Sequence, residues 1–417
     1  MPEPTTVETT SRSDGAPAPH PYALRRDASL PAVLAGVIAI VVCFSGPLVV
    51  LLAAAAAGRL DQAHTVSWIW AVSIGSGLTS LLLSWYTRTP VITAWSTPGA
   101  ALLVTSLGSY SYPSAIGAFL LSGVAVTLLG VTGLFGRLIR AIPSGVVNAM
   151  LAGILFSFGT AIFTALHTAP AVVLGALAAF LVARRLLARY AVPAALLAGS
   201  LAAWLTVGLP LHLGHGGLAH PVPTAPGFDP AALVGLALPL TIVALASQNA
   251  PGLGVLRAGG YQPDDRLLVG ATGAASVLLA PFGSPGITIA AITAAICTSP
   301  ESHPDPRRRY VAGMTTGLGY LLVGSFGGVL VSLFTGLPPA LVAVVAGVAL
   351  LGSFQGSLAG AVADEQGRDA AVVTFLATAS GMVVFGIGAA FWGLLLGVAT
   401  HLVLRAGPIG RRRPGRG

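Results

Sequence analysis

None of the thirteen carboxylates in this 417-residue chain falls inside one of its long apolar stretches; from Glu3 to Asp369, each lies in a tail or between stretches. Runs of about 20 apolar residues match the hydrocarbon core of a bilayer. Charged residues make up 8% of the chain, against roughly 25% in a soluble domain. A soluble chain of this size with so little charge would aggregate. The fold class is therefore an all-α polytopic membrane protein. The 53 glycines fit that class, because small residues let membrane helices approach closely.

Polar and Pro/Gly boundaries mark seven apolar segments near 31–57, 66–87, 91–106, 113–135, 142–166, 170–188 and 191–210. Seven more lie near 231–250, 267–281, 284–299, 310–335, 338–362, 370–387 and 389–405. Residues 1–28 read as a disordered cytoplasmic tail, 29–211 as a first repeat and 212–230 as an extracellular loop. Residues 231–405 read as a second repeat and 406–417 as a basic cytoplasmic tail. The chain has no Lys, so arginine alone tests the orientation. With a cytoplasmic N-terminus, only Arg59 falls outside and 20 of 21 arginines fall inside. That asymmetry supports fourteen spans with both termini in the cytoplasm. Two homologous halves of seven spans must be inverted relative to each other. "IPSGVVNAMLAG" from Ile142 and "LPPALVAVVAG" from Leu337 open the fifth segment of each half alike.

The third segment of each half is interrupted: Ser96-Thr97-Pro98-Gly99 in one, Ser284-Pro285-Gly286 in the other. Proline breaks a helix interior but suits a first turn behind a Ser or Thr cap. Val91 to Trp95 should then be extended, with a short helix from Thr97. Phe282 to Ser284 should likewise be extended, with a helix from Pro285 to Cys297. Extended backbone is tolerated inside a membrane only where protein or a water-filled cavity covers it. In an inverted repeat, the two half-helices would point their N-termini at one midplane space. Each N-terminus carries about half a positive charge, so the expected guest is a small organic anion such as a carboxylate. The eighth segment adds Ser247, Gln248 and Asn249 before Pro251, and the first has a matching break at Ser45-Gly46-Pro47.

No HExxH, Walker A, nucleophile elbow or cluster of metal ligands appears, so no enzyme, metal or cofactor is expected. Nucleic acid is not an expected partner, because the arginines sit singly or in short groups. His212, His215 and His220 read as a solvated loop. Cys43 and Cys297 lie inside apolar runs and read as buried free thiols. With no carboxylate in any span, an internal acid relay for protons is missing.

"PVITAWSTPGAALL" (Pro90–Leu103), "LPLTIVALASQNAPGLGVLRAGGYQP" (Leu238–Pro263) and "AAITAAICTSPESHPDPRRRY" (Ala290–Tyr310) resemble the benzoate membrane transporter (BenE-like) family. The likeness runs from about residue 28 to 405. It implies the fold of nucleobase permeases and sulfate permeases: a core of segments one to four and eight to eleven, and a gate of the rest. Segments three and ten would each combine a short strand with a half-helix. The resemblance also implies proton-linked import of benzoate or a related aromatic acid by alternating access. The implied substrate site holds Ser45, Gly46, Trp95, Ser96, Thr97, Pro98, Gly99, Gln248, Asn249, Ser284, Pro285, Gly286, Ile287 and Thr288. Pro285 and Thr288 depart from the family pattern, where a His and an Asn are usual. A homodimer is suggested by analogy with related folds. An anion channel or exchanger of the sulfate-permease type, or a non-transporting membrane protein, stands as the alternative.

Overall fold

The computed structural model describes residues 23–206, 208 and 218–405. Most of both expected tails, together with His212 and His215, lies outside the described residues. Helices account for nearly all of the fold. In the first half they are α1 (Leu30–Ser45), α2 (Pro47–Ala57) and α3 (Gln62–Thr87), then strand β1 (Thr93–Trp95), α4 (Thr97–Ser106) and α5 (Tyr112–Val131). The half ends with α6 (Phe135–Ala141), α7 (Ser144–Thr164), α8 (Pro170–Leu186) and α9 (Ala191–Thr206). The second half opens with the long α10 (Pro230–Ala258) and α11 (Asp265–Leu279). Strand β2 (Ile287–Ile289), α12 (Ile292–Thr298), α13 (Tyr310–Ser325), α14 (Gly327–Thr335) and α15 (Pro339–Val362) follow. Then come α16 (Arg368–Ala379), the short hairpin β3 (Val383–Val384) and β4 (Ile387–Gly388), and α17 (Ala389–Arg405).

Local chemistry explains where these helices start. Ser29, Asp61, Ser96, Ser111, Asp229 and Asp264 stand at N-caps, each side chain accepting from an amide of the first turn. Proline opens α2, α8 and α10, where its missing N–H costs no helical bond. Among the described residues, eight helices are long and apolar enough to cross a bilayer, and the run Pro306–Ser325 bends by 71° into Gly327–Phe334. Leucines on the outer faces are widely exposed, among them Leu197, Leu278 and Leu322. In water such a belt would drive aggregation; against lipid tails it is at rest.

The elements pack as two groups. In one, α3 lies against α13, α5 against α11, and α1 against α12 and α13. In the other, α7 lies against α15 and α16, α8 against α9 and α15, and α16 against α17. The first group encloses a two-stranded antiparallel ribbon pairing Thr93 with Ile289, Ala94 with Thr288 and Trp95 with Ile287.

Two strands have two outer edges, and buried edge amides need partners. On the β1 edge, Ser80 of α3 accepts from the Thr93 N–H at 2.9 Å, and its own hydroxyl lies 2.9 Å from Thr93 Oγ1. Ser84 donates to the Val91 carbonyl at 2.9 Å. On the β2 edge, Ser276 of α11 accepts from the Ile287 N–H at 2.8 Å, and Asn249 Oδ1 of α10 accepts from the Ile289 N–H at 2.8 Å. Side chains of the flanking helices thus complete the ladder.

Segment three follows the expected pattern, with an extended stretch and then a helix from Thr97. Segment ten does not. Residues Ala280–Phe282 form a single 3-10 turn, Gly283 closes it at φ 101°, and the helix begins at Ile292 rather than Pro285. Gly286 sits at φ 143°, a value closed to a helix, and the β-branched Ile287-Thr288-Ile289 run favours a strand. The two Pro-Gly motifs are therefore not equivalent: Pro98 follows its strand and Pro285 precedes its own. Gly283 is obligatory for a second reason, since a Cβ there would collide with the Trp68 indole.

Replacing Ser80 or Ser276 by Ala should strand one buried strand amide, at about 1–3 kcal/mol each. Thermal unfolding in detergent should show both variants less stable than wild type. Unchanged midpoints in both would mean the ribbon edges are held by other groups.

Candidate functional site

A cavity of about 270 Å³ lies between the two helix groups. Its wall on the ribbon side is built from Ala94, Trp95 and Thr97 at the β1–α4 junction and from Ala290 to Thr293 at the β2–α12 junction. Gln248 of α10 also lines it, and Val348, Ala349 and Gly352 of α15 close the opposite side. The cavity therefore touches the starts of both half-helices.

Its polar groups differ in how free they are. Thr97 and Gln248 make no hydrogen bond with any described residue, so a hydroxyl and a whole carboxamide are available to a guest. Thr293 is 5% exposed, lines the cavity, and its Oγ1 has no partner among the described residues. Its hydroxyl is therefore free to hydrogen-bond a guest in the cavity. Gln248 lies in a wide-turn stretch, Ala244–Asn249, with five-residue hydrogen-bond spacing. Such π-bulges accompany functional positions because they re-aim side chains.

The half-helix termini are unequal. In α4, Ser96 Oγ already accepts from the Gly99 N–H at 3.0 Å, the Ser96 carbonyl takes the Ala100 N–H at 2.8 Å, and Pro98 has no N–H. Only the Thr97 amide is left for a guest. The start of α12 has Ala291 at its cap and no side-chain capping bond. Its far end is held by Arg309, 6% exposed, whose Nη1 donates to the Thr298 carbonyl at 2.6 Å and Nε to the His303 carbonyl at 2.6 Å. A guanidinium at a helix C-terminus opposes the partial negative charge there and fixes the helix in place.

Trp95 supplies an aromatic wall. It is 2% exposed; its Nε1 donates to the Pro47 carbonyl at 3.3 Å, and its ring packs edge-on to Phe44 at 5.5 Å. Both degrees of freedom of the indole are thereby fixed.

Of the fourteen residues singled out from sequence, Trp95, Thr97 and Gln248 line the cavity, and the others lie behind or beside it. Ser96 caps α4, with Pro98 and Gly99 buried in its first turn. Asn249 and Thr288 serve the ribbon, Thr288 Oγ1 donating to the Ala94 carbonyl at 3.1 Å. Ser45 donates to the Val42 carbonyl at 3.0 Å, and a Cβ on Gly46 would meet Ala349 Cβ at 2.6 Å and Val192 Cγ1 at 2.8 Å. Gly46 is thus a contact between the two helix groups. Ser284, Pro285 and Gly286 form the approach to β2, Ile287 is its first residue, and none of the four is in the cavity wall.

Sequence reasoning missed Thr293, which lies in a plain "AAITAA" run, and Arg184 and Arg189, which also line the cavity. Their only sequence signal is position: they close the sixth segment and open the seventh, so a cavity reaching that end meets them.

The family model for benzoate membrane transport proteins matches residues 26–403. The benzoate membrane transport protein of Acinetobacter baylyi is 39% identical over 382 residues, covering 91% of this chain and 97% of that protein. Inner membrane protein YdcO of Escherichia coli is 39% identical over 383 residues, covering 90% of this chain and 96% of that protein. Among solved structures, the transmembrane domain of the cyanobacterial bicarbonate transporter BicA matches with a TM-score of 0.55 at 16% identity, over 90% of this chain and 96% of that one. The transporter SLC26A9 matches with a TM-score of 0.58 at 14% identity, over 92% of this chain and 67% of that one. At such low identity these two share the fold alone, and they are anion transporters where nucleobase permeases were the first expectation. The near full-length family match makes this chain a member of the benzoate membrane transport protein family, and so a membrane transporter rather than an enzyme.

Proposed function

We propose that the protein imports benzoate or a related aromatic or organic carboxylate across the bacterial inner membrane by alternating access. The observation that carries this reading is the cavity itself. It offers a free hydroxyl, a free carboxamide and an aromatic wall, and no carboxylate lines it. A carboxylate accepts hydrogen bonds and an aromatic ring needs apolar cover, so both halves of such a guest are provided for. The family's name, and that of its Acinetobacter relative, supports benzoate as the first substrate to try.

In this reading the ribbon and its helices are the core, and α7 to α9 with α15 to α17 are the gate. Fourteen spans in two inverted repeats are part of the same proposal. The packing supports it: exchanging the halves turns the α3–α13 contact into α11–α5, and α8–α9 into α16–α17. Both serine-held strand edges exchange in the same way. Proton coupling belongs to the proposal too. Since the sequence places no Asp or Glu within a span, the proton would travel on the substrate's own carboxyl group or on water.

Proteoliposomes loaded at neutral pH and diluted into acidic medium should accumulate radiolabelled benzoate above its outside concentration. A second reading, an anion channel or exchanger, is favoured by the fold neighbours. Flux that never exceeds equilibration, or that requires an exchangeable anion inside, would support it. No saturable flux of benzoate or other monocarboxylates would refute the carboxylate reading.

Gln248→Leu keeps the size of the side chain and removes its amide. It should raise KM about tenfold, the worth of one hydrogen bond to a charged group. Because Gln248 bonds to no described residue, the unfolding midpoint should not fall. A fall in stability with unchanged KM would make Gln248 structural.

A further inference from the structure

The cavity is neutral where it meets the ribbon and positive at its other end. Arg184, in the last turn of α8, and Arg189, in the single turn Ala188–Tyr190, both line it. Arg184 has no hydrogen bond or ion pair with any described residue; its guanidinium carbon rests 5.6 Å from the Phe180 ring centroid. Phe180 is another cavity residue, so this cation is held against the wall by its apolar neighbour and keeps its donors free.

Arg189 has a carboxylate of the chain's own. Its Nη1 lies 3.0 Å from Glu301 Oε2, in the loop after α12. The bond joins the two helix groups, because Arg189 belongs with α8 and α9 and Glu301 with the ribbon side. Glu301 is 79% exposed, and an ion pair so open to water exchanges partners readily. A guanidinium carries five N–H donors in a planar fork suited to a carboxylate, and this pair engages one nitrogen.

We propose that Arg184 and Arg189 form a staging site for the substrate's carboxylate at the arginine-bearing mouth of the cavity, and that Glu301 is its built-in competitor. This inference rests on the carboxylate reading of the deeper site. An anion leaving the ribbon end would exchange neutral donors for two cations, and in doing so would release Glu301 from Arg189. A guest in the mouth would thereby weaken the link between the two helix groups.

The positive-inside pattern puts this mouth on the cytoplasmic face, so radiolabelled benzoate uptake into everted membrane vesicles reads it directly. Arg184→Gln and Arg189→Gln should each raise KM from that face about tenfold. Glu301→Gln should lower KM, and should have no effect when Arg189 is already Gln. Right-side-out vesicles should show KM unchanged in all three single variants. The staging site is overturned if wild type transports and both arginine variants keep its KM. It is also overturned if Glu301→Gln raises KM as Arg189→Gln does, the mark of a purely structural pair. If wild type shows no saturable uptake in either orientation, the carboxylate reading falls, and the staging site with it.

Discussion

Two serine hydroxyls hold the centre of this protein together. Ser80 on the Thr93 amide and Ser276 on the Ile287 amide complete a ribbon that would otherwise present bare edges inside a bilayer. An unsatisfied amide there costs about 1–3 kcal/mol, as much as burying a large apolar side chain returns. Once the edges are satisfied, short strands can lead into α4 and α12 inside the first helix group. The cavity and its polar groups lie where those two helices begin.

Much of this was legible in the sequence because the bilayer imposes so few solutions. Apolar stretches of the right length, acids confined to loops and arginines on alternate loops pointed to a polytopic protein. The break at Pro98 read correctly because Ser96, Pro98 and the β-branched residues before them all agreed. Pro285 misled because the same letters served a different turn. Its neighbour Gly286 takes a left-handed conformation that only the folded chain reveals, and three β-branched residues then extend the chain.

The candidate site was less legible than the fold. Residues near a break divide into those that build it and those that face the space it creates, and sequence cannot sort them. Asn249 and Gln248 are neighbours of the same type, yet one holds β2 and the other faces the cavity. Thr293 carried no signal because its significance lies in its place in the cavity wall, which only the fold reveals. Arg184 and Arg189 looked like ordinary orientation signals, and only the depth of the cavity connects them to its chemistry.

Gly46 shows how tightly the two helix groups meet. Where a side chain would stand it faces Ala349 and Val192, with no space for even a methyl group. In the alternating-access proposal, rocking one group against the other begins by parting there. Bulk introduced at Gly46 would act as a doorstop, propping the groups at one fixed angle. Such a frozen variant would give crystallographers or electron microscopists a single posture of a transporter proposed to alternate between two.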